Sequence, residues 1–366
     1  MQLAAPRPPP PGPNRAALLA SLAALDDVLA RAVHLASVAY GAQPGADPYR
    51  GLYVGGDEVV RLLASPPGSS PFAELDRTDV LGLEPGREGA EPDALSWLCA
   101  TRGLDDLDRA ILLVALAPDV DLRYERLYAY LQDDVTRRRP TLDLALNLLT
   151  AGPAEKLDAR ARFGSDAPLV RHGVVTLVAD PGQLPPLLAH VVRPDERVVS
   201  FLLGSPALDP RLAAWCRVHH PTRTLEGLPV EPETRDALVR AIDRARAGRT
   251  LRLHLNGPAG HPGPDVAETV AAALGSPLLA ADVAAGLAEG VDPAVAARLV
   301  ATEAELRGAA LLVDGIDAWW ATQPWARAVT ELIEGRDGPT ILCGTSAWPA
   351  GRWPEGLISL HLSVPG

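Results

Sequence analysis

The chain has 366 residues, of which 47% are hydrophobic, and a formal net charge of −12. This length favours two or three domains, and the apolar fraction is enough to build sizeable cores. The acidic balance argues against a general nucleic-acid binder or a peripheral membrane protein, because both depend on a basic surface. Three widely separated cysteines provide neither a disulfide framework nor zinc-ligand spacing, which favours a cytoplasmic location. We find no signal peptide and no apolar stretch long enough to span a bilayer.

The N-terminal segment predicts a tail followed by a long helix. Residues 1–14 are rich in proline, which indicates a disordered tail. From Arg15 to about Ala39, apolar residues recur every three or four positions, as they do on one face of a helix. A second, shorter helix is predicted within residues 51–63.

Residues 93–163 form a predominantly helical block that leads into a small β-prone segment. Helices are predicted at 105–116, 124–131, 142–149, 194–203 and 209–216. The β-prone run, GVVTLVA, lies at 173–179. Several helices closed by a small β element are compatible with a winged-helix type of domain, although composition alone does not require that fold. The sequence thus predicts a mostly α N-terminal domain over residues 15–229.

The pattern changes near Pro229 to alternating strands and helices. Strands are predicted at 251–256, 277–281, 309–313, 339–343 and 357–362. Helices are predicted at 232–247, 265–274, 294–307 and 322–334. Five short apolar strands separated by helices indicate a parallel sheet with helices on both faces. Residues 230–366 are therefore predicted to form an α/β domain, whose ligands would bind at the carboxyl ends of the strands.

The turn after the first of these strands has the layout of a phosphate-binding P-loop. Residues 251–275 read LRLHLNGPAGHPGPDVAETVAAALG, an apolar strand, a Gly/Pro-rich turn and an amphipathic helix. Gly257 fits the first glycine of the pattern G-x-x-x-x-G-K-[ST], and Gly260 lies within the turn. A P-loop needs a lysine that reaches the β- and γ-phosphates. The only lysine of the chain is Lys156, far upstream of this turn.

Each departure from the P-loop pattern removes a group that would bind phosphate. Pro262 and Pro264 replace the second glycine and the Ser/Thr, and neither has a backbone N–H. Gly263 stands at the lysine position and has no charge. Asp265 places a carboxylate at the start of the helix, where it would repel phosphate. The turn is either a corner kept for packing or a remnant that still binds nucleotide.

The segment GAALLVDGIDAWW at 308–320 resembles a Walker B strand, in which a terminal aspartate holds Mg²⁺. Asp314 occupies that position. The next residue, which would be the glutamate that activates water, is Gly315, so no general base is evident. Asp317 matches a second acidic position. Asp314 is therefore either a vestigial metal position or a strand-end residue that caps the following turn.

Two further residues lie where a nucleotide site would place polar groups. Thr345 follows the fourth strand, at a position suited to sensing a γ-phosphate, although a hydroxyl in a loop is common in any protein. Arg352 precedes the last strand, where an arginine finger would be located, but an exposed loop arginine is the better explanation. The predicted vestigial site comprises Gly257, Gly260, Gly263, Asp314 and Thr345. No cofactor is certain; the ligand considered is ATP or ADP with Mg²⁺, held at Asp314.

A family resemblance involves most of the chain. The block LDRAILLVALAPDVDLRYERLYAYLQDDVTRRRPTLDLALNLL at 107–149 resembles the N-terminal region of AAA+ ATPases encoded with extracellular contractile injection systems. The segments 47–63, 167–175 and 196–204 fit the same pattern. The resemblance implies a winged-helix-containing region followed by a degenerate first AAA module, with an intact second module downstream. On this basis the fold is multidomain, and its second part is an AAA+ (P-loop NTPase-like) five-stranded parallel sheet without its helical lid.

The residues and the resemblance together favour a non-catalytic half of an AAA+ protein. It would provide protein contacts and a scaffold for ring assembly, with itself, a downstream AAA module or injection-system components as partners, and with no nucleic acid or membrane. One alternative is an ATP-binding or weakly active ATPase, in which an arginine such as Arg252 replaces the lysine. Another is a DNA-binding regulator that uses the winged helix.

Overall fold

The computed structural model describes residues 10, 12, 14–39, 56–75, 93–179, 184–205, 207–320, 325–349 and 353–363. Contacts divide the chain into two main compact units, Pro11–Pro206 and Ala207–Gly366. Within the described ranges, no helix combines the length and apolar character that crossing a bilayer requires. The predicted tail lies almost entirely outside the described residues.

The first unit is mostly helical, as predicted. Its helices are α1 Arg15–Ala39, α2 Gly56–Ala64, α3 Ala94–Arg102, α4 Asp106–Val120, α5 Arg123–Leu131, α6 Leu142–Leu149, α7 Pro153–Ala159, α8 Pro168–Arg171 and α9 Glu196–Leu202. Short polar side chains set several of the starts. Asp93 accepts the N–H groups of Leu95 and Ser96 at the start of α3, and Thr141 accepts that of Leu144 at the start of α6. Each cap stabilises its helix by about 1 kcal/mol.

Helix α4 lies in the centre of this unit, and its residues from Ala110 to Pro118 are buried. A capping box between Asp105 and Asp108 starts the helix. On the neighbouring helix α5, the Tyr128 hydroxyl is completely buried and donates to the carbonyl oxygen of Val114 at 2.8 Å. This bond satisfies the one polar atom that the ring brings into the core.

A small antiparallel sheet completes the first unit. Strand β1, Val175–Val178, confirms the predicted β-prone run, and it pairs with β2, Val191–Pro194. A bridge between Thr141 and Val191 ties the start of α6 to the same sheet. Sequence reasoning did not predict β2, because the partner of a two-stranded ladder is chosen by pairing as much as by composition.

The second unit contains a six-stranded sheet. Its strands are β3 Cys216–His219, β4 Arg252–Asn256, β5 Leu278–Asp282, β6 Ala310–Asp314, β7 Thr340–Gly344 and β8 Leu357–His361, in the spatial order β3-β5-β6-β7-β4-β8. The five predicted strands are confirmed and parallel. The helix predicted at 209–216 is wrong, because these residues form a turn that leads into β3, and β3 pairs antiparallel with β5 at the sheet edge.

Helices cover both faces of this sheet. They are α10 Pro232–Arg246, α11 Gly263–Ala273, α12 Val283–Ala288, α13 Pro293–Leu306, α14 Asp317–Trp320 and α15 Trp325–Glu334. Leucines and valines of α10 and α11 pack with Leu253, Leu255 and Leu312 on one face. Residues of α12 to α15 pack with Leu279, Val313 and Leu342 on the other. The two cores account for the nearly continuous apolar sequence of β6 and β7.

The connection from β4 to β5 crosses the sheet in one direction, and the connections from β5 to β6 and from β6 to β7 cross it in the other. From β4 the chain crosses three positions to β5, and it then steps back through β6 and β7 until β7 lies beside β4. Helix α11 and helices α13 to α15 therefore lie on opposite faces. Ligands of open α/β sheets bind at such a reversal, outside the carboxyl ends of the strands.

Candidate functional site

The residues predicted from the sequence meet at this carboxyl edge. The turn of residues 257–262 follows β4, and the Gly257 N–H donates to the carbonyl oxygen of Gly344 at the end of β7. Asp314 ends β6 beside Cys343 of β7. Thr345 follows β7 directly. Gly260 has a φ of +87°, a left-handed conformation that glycine adopts without strain. The fold thus brings five predicted positions to one edge of the sheet.

The turn is filled by its own histidine. The His261 Nδ1 atom accepts the backbone N–H of Gly263 at 3.0 Å, and the His261 N–H donates to the carbonyl oxygen of Pro258. A methyl group placed on Gly263 would lie 2.7 Å from Nδ1 of His261 and 3.0 Å from Sγ of Cys343. The imidazole therefore occupies the side of the loop from which a lysine at position 263 would extend.

Gly257 is required by close approach of the backbone. A methyl group there would overlap the carbonyl oxygen of Leu362 and lie 3.0 Å from Cβ of His261. Leu362 in turn donates its N–H to the Asn256 carbonyl at 2.7 Å. The glycine that matches the start of a P-loop is thus explained by packing against the end of the last strand and against His261.

The start of helix α11 offers few groups to an anion. The Gly263 N–H is already bonded to His261, and Pro264 has no N–H. The carboxylate of Asp265 pairs with Arg223 at 3.0 Å, and the same guanidinium pairs with Glu268 at 2.7 Å. These contacts place the Arg223 guanidinium beside the first turn of α11. Its charge is neutralised there by the carboxylates of Asp265 and Glu268.

Asp314 caps the turn that follows it. Its Oδ1 accepts the N–H of Gly315 at 3.0 Å, and Gly315 has a left-handed φ of +73°. Burial raises the pKa of Asp314; the Gly315 N–H lowers it, the neighbouring Asp282 raises it, and His261 lowers it. Asp282 is its register partner on β5 and caps helix α12. This arrangement fits the capping interpretation, while the metal role remains a prediction.

Asp317 holds the turn that contains Thr345. Its carboxylate accepts the backbone N–H groups of Thr345 and Ser346 and the Thr345 hydroxyl. Burial alone would raise the pKa of Asp317, but these hydrogen bonds outweigh it and the pKa is lowered. The Thr345 hydroxyl, predicted as a phosphate sensor, therefore has a partner within the protein.

Arg252, considered as a substitute for the missing lysine, lies at the opposite edge of the sheet. It begins β4, and its guanidinium donates to the carbonyl oxygens of Glu355 and Glu334. The turn begins after Asn256, and five strand residues separate the two edges by about 13–17 Å. Arg252 is therefore bound elsewhere. Arg352 lies outside the described residues.

The residues at this edge do not form a metal centre in the part of the chain that the structure describes. No group of three or more His, Cys, Asp or Glu side chains there could hold a metal ion. Asp282 and Asp314 are two carboxylates, and each also caps a following turn or helix. Because Mg²⁺ in nucleotide sites uses one or two carboxylates together with phosphate and water, the metal role of Asp314 stays a prediction.

Sequence reasoning missed His261 and Asp282. His261 lies between Gly260 and Pro262, and its position in a turn that otherwise has small residues was the available signal. Asp282 ends the strand next to β6, so its register with Asp314 follows only from the strand order. The first omission concerns the conformation of a turn, and the second concerns which strand ends are neighbours.

Comparisons with known proteins were made with family models, curated proteins and solved structures. A family model described as winged helix domain, variant, matches residues 83–216. Among curated proteins, no sequence matches this chain. Among solved structures, the crystal structure of the FIGL-1 AAA domain is similar with a TM-score of 0.32 and 15% identity, over 44% of this chain and 63% of that chain. This similarity is too distant to carry an argument about residues or activity.

The chain thus combines a mostly helical region, most of which a winged-helix family model matches, with a mixed, mostly parallel α/β sheet.

Proposed function

We propose that the second unit is a non-catalytic AAA-like module and that the chain acts as a protein-contact and ring-assembly scaffold. The observation that carries the proposal is the His261 imidazole in the turn after β4, bonded to the Gly263 N–H. The assignment to a contractile injection system rests on the sequence resemblance of residues 107–149.

Phosphate binding in such a turn depends on backbone N–H donors and on a cation. Here the donors are reduced by Pro262 and Pro264 and by the bond between Gly263 and His261. The cation is lost because Gly263 stands at the lysine position and because Arg223 is paired with Asp265 and Glu268.

Hydrolysis would in addition need a base that activates water. Gly315 occupies the position of that base and contributes only its backbone, which is bonded to Asp314. The proposal therefore has two independent supports, one for binding and one for chemistry.

The charges of the first unit favour a protein partner over DNA. Helices α6 and α7 are joined by a three-residue turn, as in a helix-turn-helix, which would make α7 the recognition helix. Its exposed charged residues are Glu155 and Asp158. Its Lys156 is buried and bonded to Asp143 and Asn147. An acidic helix of this kind would be repelled by phosphates.

Titration calorimetry with a non-hydrolysable ATP analogue and Mg²⁺ tests the binding part. We expect no heat of binding up to about 1 mM ligand. Any binding free energy is then weaker than roughly −4 kcal/mol. An ATP turnover assay should give the same background rate for the wild type and for Asp314→Ala. Magnesium-dependent turnover that Asp314→Ala abolishes would overturn the proposal.

The scaffold part is tested by mixing the full chain with an intact AAA module from the proposed contractile injection system. Analytical ultracentrifugation then measures the mass of the complex. We expect a closed ring that contains both. If the chain sediments alone in the presence of the module, with or without ATP, the scaffold proposal is wrong even where the calorimetry is silent.

A further inference from the structure

The first unit has a groove that its winged-helix architecture does not explain. The groove has a volume of about 570 Å³ and lies between one face of helix α5 and the loop of residues 132–138. It is lined by Leu122, Glu125, Arg126, Ala129, Tyr130, Asp133, Asp134, Val135 and Arg138. The helical members recur at three- and four-residue spacing, so they share one face of α5.

The floor of the groove is apolar and exposed. Leu122, Tyr130 and Val135 are 68%, 39% and 53% exposed, although large apolar side chains are normally buried. Together with Ala129 they are the apolar members of the lining, and we refer to these four residues as the apolar strip. Exposed apolar strips rimmed by polar residues mark interaction sites.

The rim has arginines that the described part of the chain leaves without a carboxylate partner. Arg126 and Arg138 are exposed and make no ion pair with any described residue. The carboxylates in the lining are already engaged: Glu125 faces Arg139 at 3.9 Å, and Asp134 pairs with Arg137 at 3.1 Å. Asp133 also has an interaction within the chain. The groove therefore offers two available cations on a chain of net charge −12.

The loop wall of the groove is preformed. The Gln132 amide nitrogen donates to the carbonyl oxygens of Tyr128, Arg137 and Arg139. Its amide oxygen accepts the N–H and the hydroxyl of Thr141. One side chain thus ties both ends of the loop to α5 and to the start of α6. A wall held in this way loses little conformational entropy when a ligand binds.

We propose that this groove binds an acidic peptide segment of a partner protein, with an apolar residue of the segment on the strip and its carboxylates on Arg126 and Arg138. Guanidinium and carboxylate form bidentate hydrogen bonds, which suits two arginines on a rim. The apolar strip would contribute nothing to a phosphate backbone, whereas an apolar residue of a peptide would pack on it. The proposal is independent of the non-catalytic role of the second unit.

The test measures fluorescence anisotropy of a labelled glutamate-rich peptide with a central Leu-Phe pair, titrated with the full chain. We expect a dissociation constant on the order of 10–100 μM, as for small transient interfaces. Two control peptides replace the glutamates by lysines or the Leu-Phe pair by alanines. Both should bind at least about tenfold more weakly.

Matched variants locate the site. The double variant Arg126→Glu, Arg138→Glu should bind the glutamate peptide with an affinity lower by about tenfold or more. The double variant Leu122→Ala, Tyr130→Ala should lower the affinity by a similar factor. Arg160→Glu makes the same charge change at an exposed arginine of this unit outside the groove, and it should change affinity less than about twofold. Because all these positions are exposed to a large extent, thermal unfolding should show that each variant is folded.

Three results would overturn the proposal. One is equal affinity for the glutamate and lysine peptides, and another is equal loss in Arg160→Glu and in the groove variants. The third is binding of a duplex DNA that is lost in the Arg126→Glu, Arg138→Glu variant while the glutamate peptide does not bind, which would assign the arginines to nucleic acid.

Discussion

Lys156 in the first unit and Gly263 in the second differ in whether a lysine is present. The first unit has a lysine with a structural role, and the second has a glycine where a phosphate-binding lysine would be. Lys156 is the only lysine, and its ammonium group bonds Asp143 at 2.6 Å and Asn147 at 2.7 Å with a side chain that is 10% exposed. Gly263 stands where a lysine would bind phosphate, and His261 covers it. In both units, polar groups that could serve chemistry instead hold helices and turns together.

The comparison is tested most strongly at Lys156. Lys156→Ala should lower the free energy of unfolding by about 2–3 kcal/mol, because Oδ1 of Asp143 and Oδ1 of Asn147 lose their buried donor, while Oδ2 of Asp143 keeps the Asn147 amide. The value is at the lower end because Asp143 is 43% exposed. Urea denaturation measures it. Lys156→Met keeps the apolar part of the side chain, so its effect measures the loss of the charge without the loss of packing. Arg160→Ala is the control at an exposed position and should change stability by less than about 0.5 kcal/mol. If Lys156→Ala also stays within that range, Lys156 is not structural.

A double-mutant cycle at Gly263 and His261 tests the filled turn. Gly263→Ala should destabilise the protein by about 1–2 kcal/mol, because the added methyl group meets the His261 ring and Sγ of Cys343. In a His261→Ala background the same change should cost clearly less, since only the 3.0 Å contact with Sγ of Cys343 remains and alanine is the better helix former. The coupling, about 1 kcal/mol or more, is obtained from unfolding free energies. Additive effects would contradict the placement of the imidazole.

Asp317 sharpens the comparison through pH. Because the folded-state pKa of Asp317 is lowered, its stabilising contribution is present above the unfolded pKa of about 3.9 and is lost as pH falls through the folded value. Asp317→Asn should therefore cost about 1 kcal/mol at neutral pH and flatten the decline of stability below about pH 4.

Unfolding free energies across that pH range measure this effect. Asp236→Asn, an exposed position on α10, serves as the control and should leave the acid profile unchanged. The same steep acid decline in Asp317→Asn as in the wild type would show that the turn after β7 does not depend on this carboxylate.

The smallest effect is expected at Asp133. Replacing Gly263 by a larger residue should destabilise the protein, whereas replacing Asp133 by glycine should stabilise it. Asp133 has a left-handed φ of +48° at the end of α5, where the N–H groups of Asp133 and Asp134 donate to the carbonyl oxygens of Tyr130 and Ala129. Glycine is favoured in this helix-ending motif. Asp133→Gly should raise the free energy of unfolding by about 0.5 kcal/mol. A loss of stability would mean that the interaction made by Asp133 outweighs its backbone strain.

Much of the fold could be predicted because its signals are local. Helix α1 matches its predicted bounds, and each of the five parallel strands was predicted to within one or two residues, since apolar runs between turn residues are short-range patterns. The prediction failed at residues 209–216, which form a turn that ends where Cys216 begins β3. The domain boundary predicted at 229 is not tested by the comparisons, while contacts divide the chain near Pro206.

The sequence by itself determined what the two motif positions lack: the only lysine is Lys156, and glycines at 263 and 315 stand where a P-loop lysine and the glutamate that activates water would be. Only the tertiary structure decided what replaces them. The register of Asp282 with Asp314 and the bonds from Thr345 to Asp317 join residues from different strand ends, and the His261 imidazole over Gly263 depends on how the turn after β4 folds. Such contacts depend on strand order and side-chain rotamers, which local sequence patterns do not encode.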